Sequence, residues 1–207
     1  MLRISDFAIS QRGARFIKLV INMPICVERV LVLPVLLYRR LRYGYAFRRI
    51  RLTKGKFAIV DPEDYERLNK YKWHVTKNCN TLYAKRNAPF RTKGPGIPIY
   101  MHREIMKIPP GMVADHINHN GLDNRKANVR PATRAQNNRH TRRIRKTGSS
   151  RYKGVSWYSR EKRWVAKITT DGNTIVLGYF KDEITAAKAY DRAAKKYHGE
   201  FAGLNFP

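Results

Sequence analysis

A short polar segment in the middle of the chain carries the residue types best suited to chemistry on a phosphate. Asp115 and His116 are adjacent, and Asn128 and Asn137 follow 12 and 21 residues after the histidine. Carboxylate and carboxamide oxygens are hard ligands that suit Mg²⁺, which keeps several waters and takes only one or two ligands from a protein besides a phosphate. A histidine beside such an ion can accept the proton of an attacking water. This pattern predicts hydrolysis of a phosphodiester bond.

Local sequence signals place these residues on a compact α+β unit. Residues 112–114 predict a short strand that ends at the Asp-His pair, and residues 128–130 predict a second strand after a turn. Thr133 with Gln136 three residues later is the pattern of a capping box, which predicts the start of a helix. Asn137 lies one turn into that helix, where its side chain can face back towards the strands. The predicted order is strand, loop, strand, helix.

The combined motif D-H-I-N, L-D-N-R, N-V-R and Q-N resembles that of the HNH endonucleases of the ββα-metal class, in the branch found in phage and intron-encoded homing enzymes. The resemblance covers about residues 51–140. It implies that His116 is the general base and that Asp115 and Asn137 ligate one divalent ion, Mg²⁺ or another such as Mn²⁺. Asn138 is the alternative to Asn137 as the ligand.

The remaining polar residues of the segment are expected to support this site rather than to act in it. The resemblance implies that Asn128 fixes the loop and the imidazole by hydrogen bonding. Asp123 and Asn124 are expected to stabilise the connecting turn, and His119 and His140 are expected to be solvated or to face DNA. The chain has only two cysteines and no C-x-x-C, so a zinc site is not expected.

The composition predicts a polyanionic partner. The 43 lysine and arginine residues against 15 aspartate and glutamate residues give a formal charge of +28 over 207 residues. Such an excess destabilises a compact protein through self-repulsion and is expected mainly where a nucleic acid neutralises it. Double-stranded DNA is the predicted partner, although charge alone does not exclude RNA or an anionic membrane. No small-molecule cofactor is expected.

Composition also divides the chain into four segments. Residues 1–50 form a basic and apolar extension that is expected to remain unfolded, with a segment lying on a membrane surface as the alternative. Its longest uncharged runs are nine residues, too short to span a bilayer. Residues 51–147 form the domain of the polar motif, in which Asp61 before a proline predicts a capped helix N-terminus. A Gly-Ser-Ser linker, residues 148–150, precedes a second domain over residues 151–207.

The second domain is predicted to be a small three-stranded antiparallel sheet packed on one helix. Alternating apolar residues predict strands over residues 155–158, 163–168 and 174–180, and Asp171-Gly172-Asn173 predicts a tight hairpin turn. Asp182 is the predicted helix cap. The helix face towards the sheet is predicted from its spacing to consist of Ile184, Ala187, Tyr190, Ala194 and Tyr197.

The strings R-Y-K-G-V, W-V-A-K-I, L-G-Y-F and L-N-F-P make this domain similar to the plant ethylene-response-factor (Apetala-type) DNA-binding domain. The resemblance implies that the sheet lies in the major groove, where all four base pairs can be distinguished. Ser156, Thr174 and Val176 occupy positions at which plant proteins carry base-reading residues, so the plant target sequence cannot be carried over. The residues expected to contact DNA are Arg139, Arg142, Arg143, Arg151, Lys153, Gly154, Arg160, Arg163 and Lys167.

Together these features predict a DNA endonuclease of the HNH homing type that its C-terminal domain anchors on DNA. A single site in a monomer predicts a nick in one strand, and the resemblance implies products with 5′-phosphate and 3′-hydroxyl ends. A cytoplasmic protein encoded by a phage or a bacterium is expected. The main alternative is a DNA-binding regulator that keeps the nuclease scaffold without cutting, and an RNA-directed nuclease is a weaker alternative.

Overall fold

A computed structural model of the chain describes residues 25–78, 81–88, 97–141 and 148–207. These residues form a mixture of helices and small antiparallel sheets. They divide into two compact units, each made of two segments of chain. The first unit comprises the described residues up to Met106 together with Asn120–Val129, and the second comprises Lys107–His119 with Arg130–Pro207.

Seventeen elements occur in the described residues. The helices are α1 (Ile25–Tyr43), α2 (Pro62–Asn69), α3 (Met101–Ile105), α4 (Arg134–His140) and α5 (Glu183–His198), with 3₁₀ helices at Lys126–Asn128 and Gly199–Phe201. The strands are β1 (Arg48–Arg51), β2 (Phe57–Val60), β3 (His74–Asn78), β4 (Thr81–Asn87), β5 (Pro98–Tyr100), β6 (Val113–His116), β7 (Val129–Ala132), β8 (Val155–Tyr158), β9 (Arg163–Thr170) and β10 (Asn173–Phe180).

Regular structure begins earlier in the chain than the sequence predicts. The helix α1 and the strand β1 precede the motif domain, and β1 pairs antiparallel with β2. Phe47 and Ile50 are buried, and Arg39 donates a hydrogen bond from Nη1 to the carbonyl oxygen of Phe47 at 2.6 Å. Among the residues that the structure describes, no helix is both long and apolar enough to cross a bilayer.

The core of the first unit consists of buried residues from β1, β2, α2, β4 and α3, together with Leu52 and Trp73. Trp73 is buried and donates from Nε1 to the carbonyl oxygen of Leu68 at 2.8 Å. Asp61 adopts the extended conformation of a helix cap, with a proline after it, but its side chain does not cap α2. Asp61 is thus the N-cap residue of α2, as predicted, but its carboxylate accepts the backbone N–H of Lys126 at 2.8 Å rather than a helix N–H. This hydrogen bond connects the start of α2 to the loop 120–129.

The C-terminal domain has the predicted sheet and helix. Its antiparallel strand order is β10-β9-β8, and the hairpin between β9 and β10 turns at Asp171 and Gly172 with φ of +50° and +82°. Positive φ at both central residues is the requirement of the tight turn that matches the twist of a hairpin. Asp182 caps α5 by accepting the backbone N–H of Thr185 at 2.7 Å.

The helix α5 packs through small side chains. Ala186, Ala187 and Ala194 are fully buried, and Tyr190 lies between them. Ile184 and Tyr197 were also predicted to face the sheet, but they are 43% and 40% exposed, so this part of the prediction is wrong. The buried residues of α5 are Ala186, Ala187, Ala189, Tyr190, Asp191, Ala193, Ala194 and His198, and neither Ile184 nor Tyr197 is among them. The buried alanines let the helix approach the sheet closely.

Gly154 provides a test of that close approach. Its φ is +75°, and an added Cβ would lie 2.0 Å from the Tyr190 ring and 2.7 Å from the carbonyl oxygen of Lys167. Gly154→Ala should therefore cost about 3 kcal/mol of unfolding free energy, since backbone strain of ~1–2 kcal/mol adds to overpacking of ~1–3 kcal/mol. Gly172→Ala is the control, because Gly172 has a similar φ and open space around it. Urea denaturation should separate the two variants, and equal stability would contradict the packing.

Candidate active site

The Asp-His pair lies at the end of a strand that is paired in a two-stranded sheet. Asp115 and His116 end β6, and they are 4% and 6% exposed. β6 pairs with β7, and α4 follows directly. Thr133 starts α4 with the predicted capping box, in which its Oγ1 accepts the N–H of Gln136 at 3.1 Å and the Gln136 side chain accepts the N–H of Thr133 at 2.8 Å. The cap fixes where the helix begins relative to the strand.

The carboxylate of Asp115 is buried between two donors. His140 donates from Nδ1 to one carboxylate oxygen at 2.8 Å, and Arg130 donates from Nε to the other at 2.9 Å. Burial by itself would raise the pKa of Asp115, but the hydrogen bonds and positive charges of His140 and Arg130 outweigh it and lower the pKa. The side chain is therefore an ionised carboxylate at neutral pH despite its burial.

The prediction for His140 is wrong, whereas that for His119 stays a prediction. His140 is 6% exposed and bound to Asp115, and its ring stacks on that of His119 with centroids 4.1 Å apart. His119 is half-buried and has a φ of +61°. The signal was present in the spacing, since a residue three positions after Asn137 lies on the same face of a helix. His140 therefore belongs to the group that faces Asp115.

The two adjacent asparagines differ in exposure. Asn137 is half-buried on α4, one turn before His140, whereas Asn138 is exposed. The backbone carbonyl of Asn137 accepts hydrogen bonds from the N–H and the hydroxyl of Thr141 at 3.1 and 2.9 Å. Asn137 and His140 are three positions apart and share one face of α4, whereas Asn138 lies on a different face.

Asn128 closes its own loop. It is buried at the end of the 3₁₀ helix Lys126–Asn128, and its Nδ2 donates to the carbonyl oxygen of Asp123 at 2.8 Å. Asp123 in turn binds Arg125 through two hydrogen bonds of 2.8 and 2.7 Å, and Asn124 donates its N–H to the carbonyl oxygen of Ile59. These contacts tie the loop together around Asn128, Asp123 and Asn124, and a hydrogen bond from Asn128 to the imidazole stays a prediction.

The basic residues expected to contact DNA fall into two groups. Arg139 pairs with Asp171 at 3.1 Å, and the Lys153 ammonium donates to the carbonyl oxygens of Arg139 and Thr141, so both have partners inside the protein. Gly154 is packed against Tyr190. The exposed residues are Arg151, Arg160, Arg163 and Lys167, while Arg142 and Arg143 lie outside the described residues.

One face of the C-terminal sheet combines cations with aromatic rings. Arg163 and Lys167 lie on the same side of β9, since they are four residues apart on one strand. Arg163 is opposite Tyr158 in the sheet, and the Tyr158 ring contacts that of Tyr179 with centroids 5.5 Å apart. Trp164 points to the other face and packs against the core of α5 and the sheet. The outer face therefore has the charge and the flat rings of a surface suited to nucleic acid.

The donor set suits a hard divalent ion. Within the described residues no group of three or more His, Cys, Asp or Glu side chains could hold a metal. The candidate ligands are instead one carboxylate and one carboxamide, a combination that fits an ion retaining most of its waters. Each oxygen of Asp115 accepts one hydrogen bond, and an ionised carboxylate has about four lone-pair sites. Acceptor capacity for an ion therefore remains, and the carboxylate is already in the deprotonated form that ligation needs.

Comparison with known proteins identifies both parts of the chain. A family model described as HNH endonuclease matches residues 107–139, and one described as AP2 domain matches residues 150–200. The chain is 32% identical over 158 residues to an uncharacterised HNH endonuclease of Acanthamoeba polyphaga mimivirus, covering 73% of this chain and 76% of the relative. It is also 46% identical over 66 residues to APETALA2-like protein 2 of rice, Oryza sativa, covering 32% of this chain and 15% of the plant protein.

The class defined by these matches is that of nucleases joined to an AP2 domain. The chain belongs to the HNH endonuclease family. HNH nucleases generally use a divalent metal ion, and the AP2 domain implies DNA as the partner. The plant proteins share only the AP2 domain with this chain, so their cellular roles do not extend to it.

The hydrogen bond between His140 and Asp115 can be tested by stability. His140→Ala removes a donor from a buried carboxylate and should cost about 2 kcal/mol of unfolding free energy. His119→Ala removes the ring that stacks on His140 and should cost less than about 1 kcal/mol. His74→Ala, at an exposed position of β3, is the control and should change nothing. A urea midpoint for His140→Ala equal to that of the control would show that this hydrogen bond is absent in solution.

Proposed function

We propose that the chain is an HNH endonuclease of the homing type that hydrolyses a phosphodiester bond of double-stranded DNA with one divalent ion. In this proposal β6, β7 and α4 form the ββα-metal unit. The observation that carries it is the environment of Asp115, a buried and ionised carboxylate at the end of a strand, bound by a residue of the following helix and adjacent to His116. Family membership supplies the reaction class.

Each polar residue has a role in the proposed reaction. Asp115 and Asn137 would hold the ion, Mg²⁺ or Mn²⁺, with Asn138 as the alternative to Asn137. Such an ion, when bound, stabilises the charge that develops on the phosphate and on the leaving 3′ oxygen. His116 accepts the proton of the attacking water, and Asn128 keeps the loop closed through Asp123. The products would carry 5′-phosphate and 3′-hydroxyl ends.

The AP2 domain would hold the nuclease on its substrate. We place the DNA contacts on the exposed cations Arg151, Arg160, Arg163 and Lys167, because Arg139 and Lys153 are engaged within the protein. The remaining predictions concern the setting: a monomer that nicks one strand, in the cytoplasm of a cell that carries a phage or bacterial gene for it.

A non-cutting DNA-binding protein is the second candidate function, and one observation favours it. Both carboxylate oxygens of Asp115 already accept hydrogen bonds from protein groups, which is also how a purely structural buried carboxylate is satisfied. Such a protein would bind DNA through the same sheet face without needing an ion. The two functions differ in whether the protein cleaves a DNA strand in a reaction that needs His116.

A nicking assay on supercoiled plasmid with Mg²⁺ separates the two functions. His116→Ala should lower the rate of nicking by about 10²–10⁴-fold, since that is the usual contribution of a positioned proton acceptor, or ~3–5 kcal/mol of activation free energy. EDTA should abolish nicking by the unaltered protein. His74→Ala provides the matched control, because His74 is exposed on β3. Nicking at one rate by all three proteins would reject His116 as the base.

Salt dependence of binding tests the assignment of the sheet face. Replacing Arg163 and Lys167 together by alanine should weaken DNA binding and lower the slope of log Kd against log salt by about one for each phosphate that the variant no longer neutralises. Replacing Arg192 and Lys195 is the matched control, because both are exposed on α5, away from the sheet. Fluorescence anisotropy at several salt concentrations gives both slopes. A smaller slope in the control alone would place the DNA on the helix.

A further inference from the structure

A single guanidinium joins the candidate active site to the C-terminal domain. Arg130 donates from Nε to Asp115 at 2.9 Å, while Nη1 donates to the Glu200 carboxylate at 3.1 Å and Nη2 to the Glu200 carbonyl oxygen at 3.0 Å. Its Cζ lies 3.8 Å from the centroid of the Phe201 ring, and its side chain is only 13% exposed. All the nitrogens of the group therefore have partners, and the partners that set its orientation belong to the C-terminal domain.

The helix that carries His140 also ends on that domain. The Lys153 ammonium donates to the carbonyl oxygens of Arg139 and Thr141, and the backbone N–H of Gly203 donates to the carbonyl oxygen of Arg139 at 3.2 Å. The last carbonyls of a helix have no partner within it, so these donors act as its C-terminal cap. A side chain at Gly203 would lie 2.7 Å from the carbonyl oxygen of Arg139 and 2.8 Å from that of His140. The backbone at Gly203 is therefore packed directly against the C-terminal end of α4.

Both donors on Asp115 thus depend on residues of the C-terminal domain. Arg130 is aimed by Glu200 and Phe201, and His140 lies at the helix end that Lys153 and Gly203 hold. Groups that bind and orient a metal ligand typically change metal affinity or activity by about 10–100-fold when they are removed. The same domain that recognises DNA would then also set the geometry of the ligand.

We propose that the C-terminal domain is a structural part of the nuclease site, in which Glu200 and Arg130 are positioning residues that hold Asp115 for the ion. The reaction in this inference rests on the proposed function, whereas the contacts do not. The domain therefore orients a ligand of the ion in addition to binding DNA. Separating it from the nuclease segment would remove the orientation of Asp115 along with DNA binding.

A substitution at Glu200 tests the positioning role without a loss of stability that would complicate the result. Its side chain is 72% exposed, and an ion pair with an exposed partner contributes little to stability. Glu200→Ala should therefore leave the thermal midpoint near that of the unaltered protein while it removes the carboxylate partner of Arg130 Nη1; the backbone carbonyl of residue 200 still accepts from Nη2. Glu161→Ala is the matched control, since Glu161 is an exposed glutamate of the same domain in the turn between β8 and β9.

The experiment compares Mn²⁺ affinity in the full-length proteins by electron paramagnetic resonance, together with DNA affinity in EDTA and cleavage kinetics. For Glu200→Ala we expect Mn²⁺ affinity to fall by about tenfold and kcat to fall with it, at unchanged DNA Kd and unchanged KM. Glu161→Ala should match the unaltered protein. Arg130→Lys should reproduce the weaker Mn²⁺ binding, because an ammonium cannot reach both carboxylates with the fixed fork of an arginine.

The outcomes separate this inference from the proposed function. Wild-type Mn²⁺ affinity in Glu200→Ala would overturn the inference even if the protein cleaves DNA. A protein that binds Mn²⁺ but never cleaves, with weakened binding in Glu200→Ala, would reject the nuclease function and support the positioning role. A protein that does not bind Mn²⁺ at all would overturn both.

Discussion

The second unit depends on how the charge of one buried carboxylate is accommodated. Removing an ion from water costs several kcal/mol even after the protein relaxes, so a buried carboxylate persists only with close donors. Asp115 obtains them from two different elements, Arg130 on β7 and His140 at the end of α4. The strand that bears Asp115, the strand beside it and the helix after it are thereby held at one point. That point is also where the hard oxygen ligands and the imidazole of His116 are expected to act.

The large positive charge of the chain serves two physical purposes. Most of the lysines and arginines that the structure describes are exposed to solvent, where they favour a polyanion. A minority act inside the fold, where a planar guanidinium can bind a carboxylate and lie against a ring at the same time. Arg125 does so with Asp123 and Tyr45, as Arg130 does with Asp115 and Phe201. Net charge alone therefore overstates how many cations are available to DNA.

This division of cations bears on how recognition and cleavage are related. Lys153 is among the residues that the sequence predicts to contact DNA, yet here it caps the helix that carries His140. Arg139 is likewise paired with Asp171 in the hairpin turn of the sheet. The contacts between the nuclease helix and the AP2 domain therefore occupy groups that would otherwise be free to bind phosphates. Arg151, Arg160, Arg163 and Lys167 of the same domain stay exposed.

The sequence by itself determined the local features: the strand that ends at Asp115, the capping box of α4, the hairpin turn at Asp171 and the three strands with their helix. Each follows from neighbouring residues, through side-chain period, turn geometry or a cap, and can be read without knowing the rest of the chain. Only the tertiary structure decided that His140 and Arg130, rather than other cations and imidazoles, bind Asp115. It also decided that Glu200, 70 residues after Arg130, binds the other side of that guanidinium. Such pairs are chosen by packing between elements far apart in the chain, and residue types alone do not specify which donor reaches a buried charge.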